Sequence, residues 1–171
     1  VPQDRERLVL LGAKKGLPLP EYPASVTRSV GSRACENLPE GPSCRDALAD
    51  LPEAEDFEEL LTGDSVRTSR WGKPSSYARK LRGLDNETWH FGYPRIWDPC
   101  LLTSSARTDH TRISRRRFAE TEPEDIEPIS RFFKLPPDGI SNTLRAGTDS
   151  ARGAFTSPRP IHYKASRCVT V

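Results

Sequence analysis

At 171 residues the chain is long enough for one domain with a modest core. An apolar fraction of 35% and 16 prolines argue against a regular bundle or sandwich and for a loop-rich fold. A net charge of +2 excludes a uniformly basic or acidic molecule, and no apolar stretch approaches transmembrane length.

In chain order, Gln3-Asp4-Arg5-Glu6-Arg7 leads into the apolar run Leu8-Val9-Leu10-Leu11 and then Gly12. The run reads as a short buried strand with two guanidiniums and an amide at its mouth. Arginine stays charged and presents a rigid fork of donors, so such a mouth suits an electron-rich ligand or a phosphate. The same pattern also fits a charged turn before an edge strand. Lys14 to Tyr22, with Gly16, Pro18 and Pro20 and with Pro23 next to it, is a connector. Ser43 is the predicted N-cap of a helix over Arg45 to Asp50, which Pro52 ends. Glu55 to Leu61 is predicted as a further turn or two of helix with Phe57, Leu60 and Leu61 on one side. Ser75 to Arg82 is predicted as an amphipathic helix after Pro74, stopped by Gly83. Trp89 to Leu102 interleaves Trp89, Phe91, Tyr93, Ile96 and Trp97 with polar residues and prolines, as irregular strands around a small aromatic core would. Helical turns are expected at Arg115 to Ala119 and Ser130 to Leu135, and strands at Ser141 to Arg145 and Arg167 to Val171.

Charge is unevenly spread. Asp46 to Asp64 is acidic, whereas Arg67 to Arg117 is basic with few acids. Such asymmetry fits a polyanion partner for the second segment, and equally a solvated surface with its counterions. The four cysteines, Cys35, Cys44, Cys100 and Cys168, show no Cys-x-x-Cys spacing, and His90, His110 and His162 are scattered, so no metal site is expected. Reduced thiols are the expectation for a cytoplasmic protein.

Taken together, the Gln-x-Arg-x-Arg strand, a variable insert, the Thr143-Leu144 pair and the closing Arg167-Cys168-Val169-Thr170-Val171 occur in an order that resembles the bacterial DNA (cytosine-5) methyltransferases. The resemblance covers Val1 to Gly12 and about Phe132 to Val171. Val1-Pro2-Gln3 with Arg5-Glu6-Arg7 is similar to the family's eighth conserved motif, and the close is similar to the opening of its ninth. Cys44 to Pro52 resembles the short helix that follows the strand. The middle, about 65–130, matches no family motif and corresponds to the variable part of a target recognition domain. The chain starts inside one motif and stops inside another, so it is expected to be a piece of a larger protein.

Cytosine C5 is a poor nucleophile. The family's solution is a thiolate that adds to C6 of a base flipped from the duplex, so that C5 can take a methyl from S-adenosylmethionine. The Pro-Cys-Gln or Pro-Cys-Asn thiolate motif, the Glu-Asn-Val glutamate and the Phe-x-Gly-x-Gly cofactor loop are not in this chain. Pro99-Cys100-Leu101 and Glu36-Asn37-Leu38 are decoys, because their order with Gln3-x-Arg5-x-Arg7 is not even a cyclic permutation of the family's. Cys100 is expected to be a small packing residue. The resemblance implies that Arg5 and Arg7 point into the active-site cleft, Arg7 donating to O2 of the cytosine, with Gln3 orienting them. It implies DNA contacts at Thr143, Arg145 and Gly147. Base readers must lie in the variable segment, where Arg107, Arg112, Arg115 and Arg116, with the neighbouring Arg117, are the candidates for forking onto guanine. Thr108 to Thr111 is either a recognition loop or an ordinary polar turn.

The expected fold is α+β: a small, loop-rich mixed domain of short strands and helices, plus one strand of a catalytic Rossmann-like sheet. Residues 1–22 end the catalytic sheet and connect it, and 23–171 form the recognition domain. Expected partners are double-stranded DNA and the catalytic segment of the same protein. S-adenosylmethionine would be held by that other segment, and neither a membrane nor a metal is expected. The rival readings are a non-catalytic DNA-binding subunit, half of a split methyltransferase, and an RNA methyltransferase of the same architecture.

Overall fold

The computed structural model describes residues 2–3, 8–33, 35–85, 98–143 and 160–169. Regular structure within them is sparse, as the proline content requires. Helix α1 (Cys44–Leu48) is followed by two 3-10 turns (Ala54–Asp56 and Glu58–Leu61) and then by strand β1 (Val66–Arg67). Helix α2 (Ser76–Arg82), strand β2 (Leu101–Leu102) and helix α3 (Arg112–Glu120) complete the order. β1 and β2 pair antiparallel, with Val66 opposite Leu102.

Helix α1 starts where the sequence places it. Ser43 and Asp46 form a reciprocal capping box, each side chain accepting from the other residue's backbone N–H. The next orphan donors of α1 reach across the chain. Cys44 N–H donates to Gly139 O at 2.8 Å and Arg45 N–H to Pro137 O at 2.8 Å. Arg45 also forks onto Asp138 at 2.8 and 2.9 Å. Gly139 suits this turn because a Cβ there would sit 2.7 Å from Pro136 Cγ. Helix α2 is capped by Ser75 and ends at Gly83, whose φ of 67° is the left-handed conformation that glycine adopts without strain.

Two small apolar clusters hold the fold. Ala54, Phe57, Leu60 and Leu102 form one, with Val66 and Trp71 against it. Phe118, Ile161 and Cys168 form the other, with Phe132 beside them. Between the helices, Ser75 Oγ donates to Asp46 O at 2.6 Å. The Arg82 guanidinium lies 2.6 Å from the fully buried Asp50 carboxylate and 4.4 Å from the Trp71 ring centroid. This pair docks α2 onto the end of α1.

Several expected elements differ. Leu8 to Leu11 is not a buried strand: Leu8 is 88% and Leu10 83% exposed. A strand needs a pairing partner, and this run has none among the described residues. The segment 55–61 is split at Phe57, which takes extended angles (φ −125°, ψ 112°) to reach the core, leaving two 3-10 turns instead of one helix. In the segment expected as a helical turn over Ser130 to Leu135, Ser130 ends a turn and Phe133 and Lys134 form isolated bridges, Phe133 with Ile126, while Glu127 N–H donates to Phe132 O. The expected turn at Arg115 to Ala119 lengthens into α3. Cys100 is exposed rather than packed. Of the strand expected over Ser141 to Arg145, Ser141 bridges Gln3 and residues 144 and 145 lie outside the described residues. In the segment from Arg167, Cys168 bridges Ile161 while 170 and 171 lie outside them. Most of the aromatic stretch, 89–97, is also outside. No described helix is long and apolar enough to cross a membrane.

Replacing Asp50 by alanine strands the largely buried Arg82 charge and is expected to cost about 3–5 kcal/mol. Urea unfolding of the two chains checks this, and an unchanged midpoint would contradict the role assigned to the pair.

Candidate nucleic-acid interface

Residues at the start of the chain meet the segment around Ser141. Gln3 and Ser141 form a parallel bridge, Ser141 N–H donates to Pro2 O at 2.8 Å, and Gln3 Nε2 donates to Asn142 O at 3.5 Å. The eighth-motif resemblance and the Ser141-Asn142-Thr143 element, 139 positions apart, therefore share one junction. Among the described residues, Asn142 Oδ1 is buried there without a hydrogen-bond partner, an arrangement that costs about 1–3 kcal/mol when left unmet. A cleft of about 190 Å³ opens beside it, lined by Pro2, Gln3, Arg28 and Ile140 among others. Thr143 is half-buried next in line. Arg5, Arg7, Arg145 and Gly147 lie outside the described residues.

The basic segment ends in α3, and the reason it folds as a helix is visible locally. Thr111 caps it, its Oγ1 accepting from Ser114 N–H at 3.2 Å. The C-terminal end is closed by Lys134, a buried ammonium that donates to Phe118 O at 3.0 Å, Ala119 O at 3.5 Å and Thr121 O at 2.6 Å. A cation at the negative end of a helix is favourable both as hydrogen-bond donor and as counter-charge. Arg117 Nε stands 3.4 Å from the buried Glu127 carboxylate, which also accepts from the backbone and hydroxyl of Ser130.

The candidate base readers separate into two groups. Arg107 Nη1 donates to Glu55 O at 2.7 Å, and Arg115 Nη1 lies 2.8 Å from Glu55 Oε1 while its Nε donates to His110 O at 3.2 Å. Both therefore bind the acidic segment of their own chain. Arg112 is exposed, and Arg116 is exposed with its Nε 2.8 Å from Glu120. An ion pair so open to water contributes little and yields readily to another anion.

The anchors Lys134, Glu127 and Arg167 are not legible in advance. Lys134 is an isolated charge among apolar residues, whereas Glu127 and Arg167 lie in polar stretches with other charges that hide them. Arg167 Nε lies 2.6 Å from Glu53, and Cys168 N–H donates to His110 Nε2 at 3.3 Å. Next to them His162 is buried, its Nδ1 accepting from Lys164 N–H at 3.1 Å and Ala165 N–H at 3.0 Å. Burial first, and then the nearby Arg167 charge, lowers its pKa to about 4. His162 and Arg167 also line a cleft of about 400 Å³ with Arg70, Ser104 and Lys164.

Burial pushes the Cys44 thiol up to about 11, the opposite of what a thiolate needs. Among the described residues no group of His, Cys, Asp and Glu could hold a metal ion.

Two outcomes test these anchors. Lys134→Met leaves the α3 carbonyls unmet, with an expected loss of about 2–3 kcal/mol by urea unfolding; a neutral effect would remove Lys134 as the anchor. A folded-state His162 pKa below its unfolded value means stability is full above about pH 6.5 and falls as pH drops toward 4, by roughly 3 kcal/mol in total. His162→Gln should flatten that part of the stability profile; an unchanged slope would assign it to other groups.

Among known proteins, no protein-family model matches the chain. The chain is 53% identical over all 171 of its residues to the type II methyltransferase M.XorII of Xanthomonas oryzae pv. oryzae, and spans 37% of that protein's length. It also matches a crystal structure of a DNA modification methyltransferase encoded within prophage Cp (E. coli), covering 78% of this chain and 36% of that one. At 21% identity and a TM-score of 0.46 that likeness is too loose to carry an argument. The resemblance to methyltransferases is nonetheless shown by the first match: along its whole length this chain is homologous to one segment of a type II methyltransferase.

Proposed function

We propose that this chain is the target-recognition segment of a DNA (cytosine-5) methyltransferase of a bacterial restriction–modification system. It recognises duplex DNA in the cytoplasm and helps position the flipped cytosine, while a separate segment supplies the catalytic thiolate. S-adenosylmethionine provides the methyl group and is bound by that other segment.

The observation that carries this reading is the junction of Gln3 with Ser141 and Asn142. The motif that the family places at the active-site cleft meets, in space, the element it places where recognition domain and DNA come together. The unmet acceptor of Asn142 supports a junction completed by a donor from elsewhere, either another segment or the DNA. The exposed Leu8 to Leu10 run supports the same reading. An exposed apolar strand segment gains pairing and burial when it joins a sheet, and the catalytic sheet is the sheet proposed for it. On this reading residues 1–22 belong to the catalytic side and 23–171 to recognition. Arg5 and Arg7 then serve as preorganised donors to charge developing on the cytosine, with Gln3 orienting them. Thr143, Arg145 and Gly147 line the DNA path, where a short hydroxyl and a glycine let the duplex come close to the backbone.

The test uses the intact gene product, labelled S-adenosylmethionine and duplex DNA. The wild type should transfer label to C5 of cytosine, and Arg7→Ala should lower turnover by about 100-fold with a smaller change in DNA affinity. Undiminished turnover in Arg7→Ala would end the assignment of the first motif.

A further inference from the structure

We infer that the outward face of α3 is the base-reading element, a short helix laid in the major groove with Arg112 and Arg116 forking onto guanines and Ile113 contacting a thymine methyl. The inference rests on the proposed recognition function and names the side chains that carry it.

Geometry selects this face. At about 100° per residue, Arg112, Ile113, Arg116, Ala119 and Glu120 fall within about 120° of the helix surface. All five are exposed. The remaining arginines of the segment point elsewhere: Arg107 and Arg115 hold Glu55, and Arg117 holds Glu127. Phe118 is the residue of α3 buried in the core. The helix is fixed from behind by these contacts and at its C-terminal end by Lys134. Its front is left rigid and open, as a readout surface needs to be.

Arg112 and Arg116 are like charges one turn apart, and Arg116 meets Glu120 at 2.8 Å in an ion pair open enough to water to yield to another anion. Ile113 between them is 72% exposed. Two guanidiniums flanking an aliphatic group match the major groove, where guanine offers O6 and N7 acceptors and thymine a methyl. Four residues of helix advance about 6 Å, near two base steps of about 3.4 Å, so the two arginines reach separate base pairs. Glu120 lies on the same face but in the last turn, where it would repel phosphates. The N-terminal half, with the positive end of the helix dipole, therefore faces the DNA.

The experiment reads the methylated motif. Cells expressing the intact gene product, wild type or variant, are sequenced for methylation genome-wide, and the purified proteins are tested for binding to duplexes with single base changes. Arg112→Ala and Arg116→Ala should each lose discrimination at one guanine by about 10- to 100-fold. Arg112→Lys and Arg116→Lys keep the charge and most of the affinity but lose the fork, so discrimination should still fall. Ile113→Ala should weaken the preference for one thymine. All five positions changed or flanking are exposed, so thermal unfolding should match the wild type. An unchanged motif in every variant, or uniform weakening on all duplexes with a shallower salt dependence, would overturn the inference, the latter by reducing the arginines to phosphate contacts. A wild type that leaves all DNA unmethylated would defeat the underlying recognition reading and this inference with it, whereas a methylating wild type with indifferent variants defeats this inference alone.

Discussion

The buried ammonium of Lys134 is the contact on which the basic end of this fold depends. It sits among the last carbonyls of α3, and the same residue bridges Ile161 through its backbone. One lysine therefore ties together the helix, the hairpin around Glu127 and the C-terminal segment. A charge so placed is tolerable because its donors are spent on carbonyls that had no partner within the helix. The apolar cluster of Phe118, Ile161 and Cys168 is small, so directional contacts of this kind carry a larger share of the order than they would in a bigger core.

The acidic segment plays the matching part on the other side. Glu53 holds Arg167, Glu55 holds Arg107 by its carbonyl and Arg115 by its carboxylate, and Asp50 holds Arg82. The charge asymmetry along the sequence is therefore in large part internal: acids of the first half neutralise bases of the second. Among the described arginines of the basic stretch, Arg112 and Arg116 face water instead, Arg116 in an open pair with Glu120.

The junction at Gln3 adds a second constraint. Joining residues 3 and 141 closes the chain into a loop, so the segment that leads into the exposed Leu8 to Leu10 run is held at a defined place on the domain.

By itself the sequence determined the local punctuation: the Ser43 N-cap, the helix after Pro74 with its Gly83 stop, the loop-rich character, and the family resemblance in the end motifs. These rest on residues within a few positions of one another, and short-range chemistry is what a sequence displays directly. It also displayed the run of arginines between Arg67 and Arg117. Only the tertiary structure decided which of them are bound inward and which face water, that Phe57 breaks its helix to reach the core, that the Leu8 run stays exposed, and that Lys134, Glu127 and His162 are buried. Several of those outcomes depend on a partner outside the local element, such as Glu55 for Arg115 or Phe118 for Lys134, and no periodicity or spacing encodes the identity of such a partner.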